Sequence, residues 1–499
     1  MNRTHRLAFA APFAVAALLV APGLLANGRF PAADQLIIDP SDPNHIVVRT
    51  TFGFVESRDG GKQWLWTCED LIGRIANTDP PFTVTGDGSV VVAVPFEGVS
   101  VTHDHGCTWT KAPEPLAGQL AVDVTLEPND PASLVVLTST NDTPDGGTTP
   151  EFRNLVVESK DNGVTWTLLG TPLARDFIAS TIEIARSDPN RIYASGVYGE
   201  PLKAAIGRSE DGGKTWTRAL VPSGELGNVY ISAIDPRNAD RLFVRVLSPP
   251  ELGTNAQATT LLESSDKGST WREVAHTGDA MLGFAISPDG SSLAYGSVAQ
   301  GIFVGPSGGP MIKVSDVQNR CLTWSPAGLY VCGTDLGRSD PTMTQIADTF
   351  AVGLSHDMGK SYDTLYKLYQ TCPTVCPDES RFNKVCRMVW ETKPGVTEAT
   401  RATGETCAVS WAKTGSPDGG NGTGTGGTGG STGTGGTGGG GGSKDAGAGG
   451  DVGPEPPHDD SCTCRVAGGV AGRSTAPVFG LGALAWLVRA RRSRRRSAR

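Results

Sequence analysis

The stretch SEDGGKTW (209–216) decides how this chain is read, because its pattern returns five more times. The pattern is Ser or Thr, any residue, Asp, any residue, Gly, any residue, a polar residue (usually Thr), then an aromatic. It recurs as SRDGGKQW (57–64), THDHGCTW (102–109), SKDNGVTW (159–166), SSDKGSTW (264–271) and SHDMGKSY (355–362). The aspartates stand at 59, 104, 161, 211, 266 and 357, so the steps are 45, 57, 50, 55 and 91. The last step is close to twice the first, which predicts a degenerate unit near GPSGGP (305–310). Ahead of each motif lies an apolar run, a turn often containing Pro, and a second apolar run. These begin with LIIDPSDPNHIVV (36–48), recur at 82–94, 124–137, 182–195, 231–246 and 284–297, and end with LTWSPAGLYVCG (322–333). Seven hairpins and six motifs over 27–365 predict an all-β fold, a seven-bladed β-propeller of four-stranded antiparallel blades.

The motif chemistry suits a turn between a blade's third and fourth strands. The carboxylates of Asp59, Asp104, Asp161, Asp211, Asp266 and Asp357 can accept turn N–H groups. Gly61, Gly106, Gly163, Gly213, Gly268 and Gly359 can take φ > 0 at little cost. Trp64, Trp109, Trp166, Trp216 and Trp271 open the fourth strand and can pack between sheets. These residues read as structural. His103 and His105 flank Asp104 in the manner of a metal site, but they occupy the motif's outward positions and read as solvated. No metal or cofactor is expected.

Composition agrees with a turn-rich fold, with 65 Gly and 34 Pro. The net charge of −9 conceals an asymmetry: residues 1–26 and 465–499 hold eleven Arg and no acid. Without them, 27–464 carries 32 basic and 52 acidic residues, a net of −20. Such a surface repels phosphate backbones, so nucleic acid is not an expected partner. It also simply keeps an exported protein soluble.

Both ends read as addresses. Arg3 and Arg6 precede the apolar stretch Leu7 to Val20, and Ala26 ends a small-residue segment suited to cleavage, which predicts a signal peptide over 1–26. The alternative, a retained membrane helix, is opposed by Pro12 and Pro22 bracketing the apolar run. After a Cys-rich appendage (366–413) come a Gly/Thr-rich and acidic, Pro-rich linker (414–460) and a tail (461–499). Residues 421–450 hold 17 Gly and have nothing to bury. The tail runs Cys462-Thr463-Cys464, an apolar segment Ala476 to Val488, then an Arg-rich end.

That order resembles the MYXO-CTERM sorting tail of myxobacterial surface proteins. The resemblance implies processing near Cys462 or Cys464 and delivery to the surface of a Gram-negative cell, with membrane attachment through the tail. An ordinary single-pass anchor is the other reading.

Export permits disulfides. Cys321 and Cys332 lie symmetrically about the turn Ser325 to Gly328, which predicts a cross-strand bridge. Cys68 and Cys107 lie after one motif and within the next, which suggests an inter-blade pair. Cys372, Cys376, Cys386 and Cys407 cluster beyond the last motif and suggest a small disulfide-tied cap or extra strand segment of open connectivity. Their spacing is not a zinc pattern.

The repeated motif resembles the Asp box, or BNR repeat, of sialidases, sortilin-type receptors, xyloglucanase-type glycoside hydrolases and seven-bladed photosystem II assembly factors. The resemblance implies fold more than function. The sialidase pattern Arg-Ile-Pro has its nearest match in Arg29-Phe30-Pro31, which departs at the middle position. The xyloglucanase-type Arg-Thr-Asp meets Arg49-Thr50-Thr51, where a hydroxyl replaces the carboxylate that would act as general base. Catalytic residues are therefore expected to be absent, unless two carboxylates face each other in the channel. The expectation is a monomeric, exported binding or scaffolding propeller for a cell-envelope glycan or protein. Glycoside hydrolysis is the alternative and membrane-complex assembly the second alternative. The longer inserts, Asn141 to Glu151 and Pro249 to Thr260, are candidate contact elements or tolerated insertions.

Overall fold

A computed structural model describes residues 31–73, 78–199, 201–223, 227–249, 257–335 and 348–392. Both terminal addresses, the linker, Cys407, Cys462 and Cys464 lie outside these residues, as do 250–256 of the second insert. Among the described residues no helix is long and apolar enough to cross a membrane.

Seven antiparallel meanders of four strands follow one another along the chain. Their first strands are Ala33–Ile38, Phe82–Val84, Ala121–Glu127, Phe177–Ile184, Asn228–Asp235, Met281–Ile286 and Cys321–Ser325. Each touches the first strands on either side, and Cys321–Ser325 returns to Ala33–Ile38, so the sheets close as a ring around these inner strands. The unit without a motif forms blade 6, its third and fourth strands being Gly301–Pro306 and Ile312–Ser315. Ser307 to Pro310 make the turn between them, with Gly309 N–H on the Pro306 carbonyl.

The core lies in the seams between blades. Val91, Val99 and Val101 of blade 2 pack with Val124, Val136 and Trp166 of blade 3, and equivalent clusters recur around the ring. Consecutive sheets thus bury each other's apolar faces, at about 1.5–3 kcal/mol for each fully buried aliphatic side chain. The repeated turns lock these seams. In each, the first Ser or Thr hydroxyl accepts the Gly N–H, at 2.7–2.9 Å. The Asp carboxylate accepts the N–H four residues on, at 2.8–3.0 Å. The Gly takes φ of 83–94° and faces the preceding blade, Gly268 against Ile206 and Gly61 against Leu365. A side chain there would be strained and would push the seam apart.

Past blade 7 the described residues return to blade 1. Thr371–Pro373 adds to blade 1 as a fifth strand, parallel to Trp64–Thr67, and the helix Arg381–Thr392 follows. Trp390 on that helix packs its ring, tilted by 46°, on that of Trp66 with centroids 5.3 Å apart. Two of the clustered cysteines therefore reach the blades: Cys386 bonds Cys68 and Cys376 bonds Cys107. This corrects the Cys68–Cys107 pairing expected from sequence; of the two forms expected of the Cys-rich segment, the extra strand is the one seen, and its bridges run to blades 1 and 2. Once the chain is laid along the outer edge of blade 1, Cys376 and Cys386 arrive at the cysteines of blades 1 and 2. Cys372 is also in a disulfide. Cys321 and Cys332, directly opposite in the hairpin register, are bonded.

Candidate functional site

Turns between first and second strands, and the repeated turns, share one face of the ring. Loops between second and third strands, and the connections from blade to blade, lie on the other face. There Val94, Pro95, Phe96 and Glu97 make a turn closed by Glu97 N–H to the Val94 carbonyl at 3.1 Å. Phe96 holds φ +59° and is 70% exposed. After Pro, a turn position of positive φ is ordinarily given to Gly or Asn. A bulky side chain there costs roughly 1–2 kcal/mol. Among the described residues every other non-Gly residue of positive φ (His105, Asn162, Lys267, Met358) belongs to a repeated turn. Phe96 is therefore an aromatic presented to solvent on strained backbone, for which packing gives no reason.

The first insert emerges on the same face. Its two short strands, Thr140–Asn141 and Phe152–Arg153, pair with each other. Asp142 takes both Arg153, at 3.1 Å, and Arg175, at 3.0 Å, while Arg175 reaches Glu151 at 2.7 Å. The insert is a braced hairpin.

Two carboxylates lie on the inner strands of blades 3 and 4. Asp123 accepts the N–H of Ile182 across the seam at 2.8 Å and that of Val124 at 2.9 Å. Thr125 donates to Glu183 at 3.0 Å. Burial raises the Glu183 carboxyl to about 7, against the Thr125 bond. Burial, then the Glu183 charge, push Asp123 well above the carboxylate range, against its two N–H bonds. Asp123 has a structural counterpart, since the Thr181 hydroxyl accepts Ile231 N–H one blade on, at 3.0 Å. Glu183 has none, and is free to hold or release a proton near neutrality.

The segment matching the xyloglucanase pattern is occupied otherwise. The Thr51 hydroxyl accepts the N–H of Ala32 at 3.0 Å and is buried. Arg49 spans the seam to the Pro80 carbonyl at 2.9 Å, as Arg245 does to that of Met281 at 2.5 Å. Both residues tie blades together. The imidazoles of the His-Asp-His stretch diverge, and neither is merely solvated: His103 meets Ser89 at 2.7 Å, and His105 meets Glu56 of blade 1 at 2.9 Å. Phe96, Asp123, Glu183 and Glu56 were not singled out in the sequence. The one local signal was Phe96 following Pro in a hairpin turn.

No protein-family model matches the chain. A stretch of 154 residues is 27% identical to a probable oligoxyloglucan-reducing end-specific xyloglucanase of Neosartorya fischeri, covering 28% of this chain and 18% of that protein. Among solved structures, an ancestral GH74 enzyme superposes with a TM-score of 0.46 at 15% identity, over 62% of this chain and 46% of that one. The GH74 xyloglucanase from Xanthomonas campestris gives 0.31 at 13%, over 66% and 64%. YCF48 bound to D1 peptide gives 0.39 at 13%, over 61% and 89%. The likeness is confined to the fold.

Proposed function

We propose that this chain is a displayed recognition module, an Asp-box propeller that holds a cell-envelope glycan or envelope protein on its second-to-third-strand loops. Phe96 carries the proposal. An exposed ring on strained backbone is what stacking against a sugar face or an apolar side chain requires, and the fold itself gains nothing from it. The braced hairpin 140–153 offers a pre-ordered neighbour, which lowers the entropy lost on binding. Export and a sorting tail, as the termini suggest, fit such display. The test is a panel of envelope glycans and envelope proteins presented to the full chain. Retention by one panel, weakened in Phe96→Ala, supports the module; no retention by either removes its basis.

A second reading rests on Asp123 and Glu183. A channel carboxyl that titrates near 7 beside a second carboxyl has the equipment of an acid–base pair. Turnover of xyloglucan or sialoside substrates that vanishes in Glu183→Gln would replace the binding role with hydrolysis. Membrane-complex assembly, the third possibility, has no residue-level support among the described residues.

A further inference from the structure

On the face of the repeated turns, at the seam of blades 1 and 2, three side chains converge. His45 Nε2 lies 3.0 Å and His105 Nδ1 lies 2.9 Å from Glu56 Oε1, and all three donor atoms lie within 4.8 Å of one another. His45 and Glu56 are buried. His45 Nδ1 meets the buried Asp39 carboxylate at 2.9 Å, and its Nε2, aimed at Glu56, makes no hydrogen bond of acceptable geometry. With the Nδ1 proton given to Asp39, a neutral ring turns its Nε2 lone pair toward a carboxylate oxygen. Two like-polarised atoms at 3.0 Å call for positive charge between them, either a proton on the ring or a metal ion.

Blade 5 supplies that charge with an arginine. Asp235, Arg241 and Glu263 stand at the equivalent positions, with the same six-residue step and the Glu again directly before the motif Ser. Arg241 bridges Asp235 at 3.0 Å and Glu263 at 2.7 Å. Blade 1 has replaced this fixed cation with an imidazole. It has also gained a second imidazole, His105, from the next blade. Substitution of Arg needs only a protonated His45; the second imidazole, with all three donor atoms mutually close, gives the His, His and carboxylate set that zinc-class ions take. Asp39 on the far nitrogen completes the carboxylate–histidine arrangement that orients such ligands.

We propose that this seam binds one divalent ion of the zinc class through His45 Nε2, His105 Nδ1 and the Glu56 carboxylate, with Asp39 orienting His45. His105, 40% exposed, leaves a side open for water as fourth ligand. Arg58, 2.8 Å from Glu56 and 39% exposed, turns to solvent when the ion enters.

The experiment titrates the chelator-stripped full chain with Zn2+ and Co2+, following heat, cobalt absorption and thermal stability. One equivalent bound without thiolate-to-cobalt charge transfer, with a rise in Tm, is expected. His105→Asn, whose Asn tolerates positive φ, loses that equivalent while keeping the metal-free Tm. Asp39→Asn weakens affinity about 10- to 100-fold, and Arg58→Ala strengthens it. Equal binding by wild type and His105→Asn, as from thiols elsewhere, overturns the proposal. So does absent binding with stability rising only on acidification, which would make His45 a protonated stand-in for Arg.

Discussion

The indole Nε1 of Trp64 in blade 1 donates to the carbonyl of Leu365 in blade 7 at 2.9 Å, across 301 residues. The same N–H reaches the Gly61 carbonyl at 3.0 Å, so one side chain fastens its own turn and the ring's closing seam. Trp109, Trp166 and Trp216 occupy equivalent places, but their Nε1 atoms have no hydrogen-bond partner among the described residues.

Trp64→Phe should therefore cost more than Trp166→Phe. Leaving Leu365 without its donor adds roughly 1–2 kcal/mol to the packing loss. Denaturant unfolding of the two variants, compared on the same chain, measures the difference.

The long-range disulfides give a chemical readout. In Cys68→Ser the thiol released should be that of Cys386, with Cys107 still protected, as alkylation and peptide mapping would show. Release of Cys107 instead would restore the inter-blade pairing suggested by sequence. Each bridge lost should lower stability by about 2–5 kcal/mol and expose the segment 374–392 to protease.

Acid should loosen the repeated turns. The Thr215 hydroxyl and N–H, with the Ser209 hydroxyl, pull the Asp211 carboxyl from 3.8 to about 2, and Asp266 behaves likewise. A depressed folded value stabilises the fold above the unfolded value, and this is lost as pH falls through the folded one. Asp211→Asn should melt lower than wild type near neutrality. The gap should close between about pH 4 and pH 2, as paired melting curves would record.

Glu183 has the opposite sign. Its folded value is raised from 4.5 to about 7, so the stabilisation is whole below 4.5 and disappears as pH rises through 7. Glu183→Gln should abolish that decline and be the more stable protein at pH 8, by on the order of 2–3 kcal/mol. A wild-type stability that stays level from pH 5 to 8 would show Glu183 ionised throughout.

What the sequence discloses follows from how local each feature is. The turns could be read because Ser, Asp, Gly and Trp act on one another within eight residues. Cys321 and Cys332 could be paired because a hairpin has only one register about Ser325 to Gly328. Cys68 and Cys386 could not, because 318 residues separate them and their meeting depends on where the fifth strand of blade 1 is laid. His105 drew notice beside Asp104, yet its partner Glu56 lies 49 residues away in another blade. Aligning Asp39, His45 and Glu56 with Asp235, Arg241 and Glu263 would have exposed that substitution. Asp123 and Glu183 stayed hidden because the bulge between Ala179 and Thr181 decides which inner-strand residues meet across the seam.

The four-stranded part of every blade is contiguous, from Ala33–Thr67 for the first to Cys321–Tyr366 for the last. Only blade 1 takes a strand from far along the chain, the added fifth strand Thr371–Pro373; the other described blades are each complete within one stretch. The four-stranded blades can thus form in order along the chain, while the bridges Cys386 to Cys68 and Cys376 to Cys107 close only once the segment beyond blade 7 has returned to blades 1 and 2.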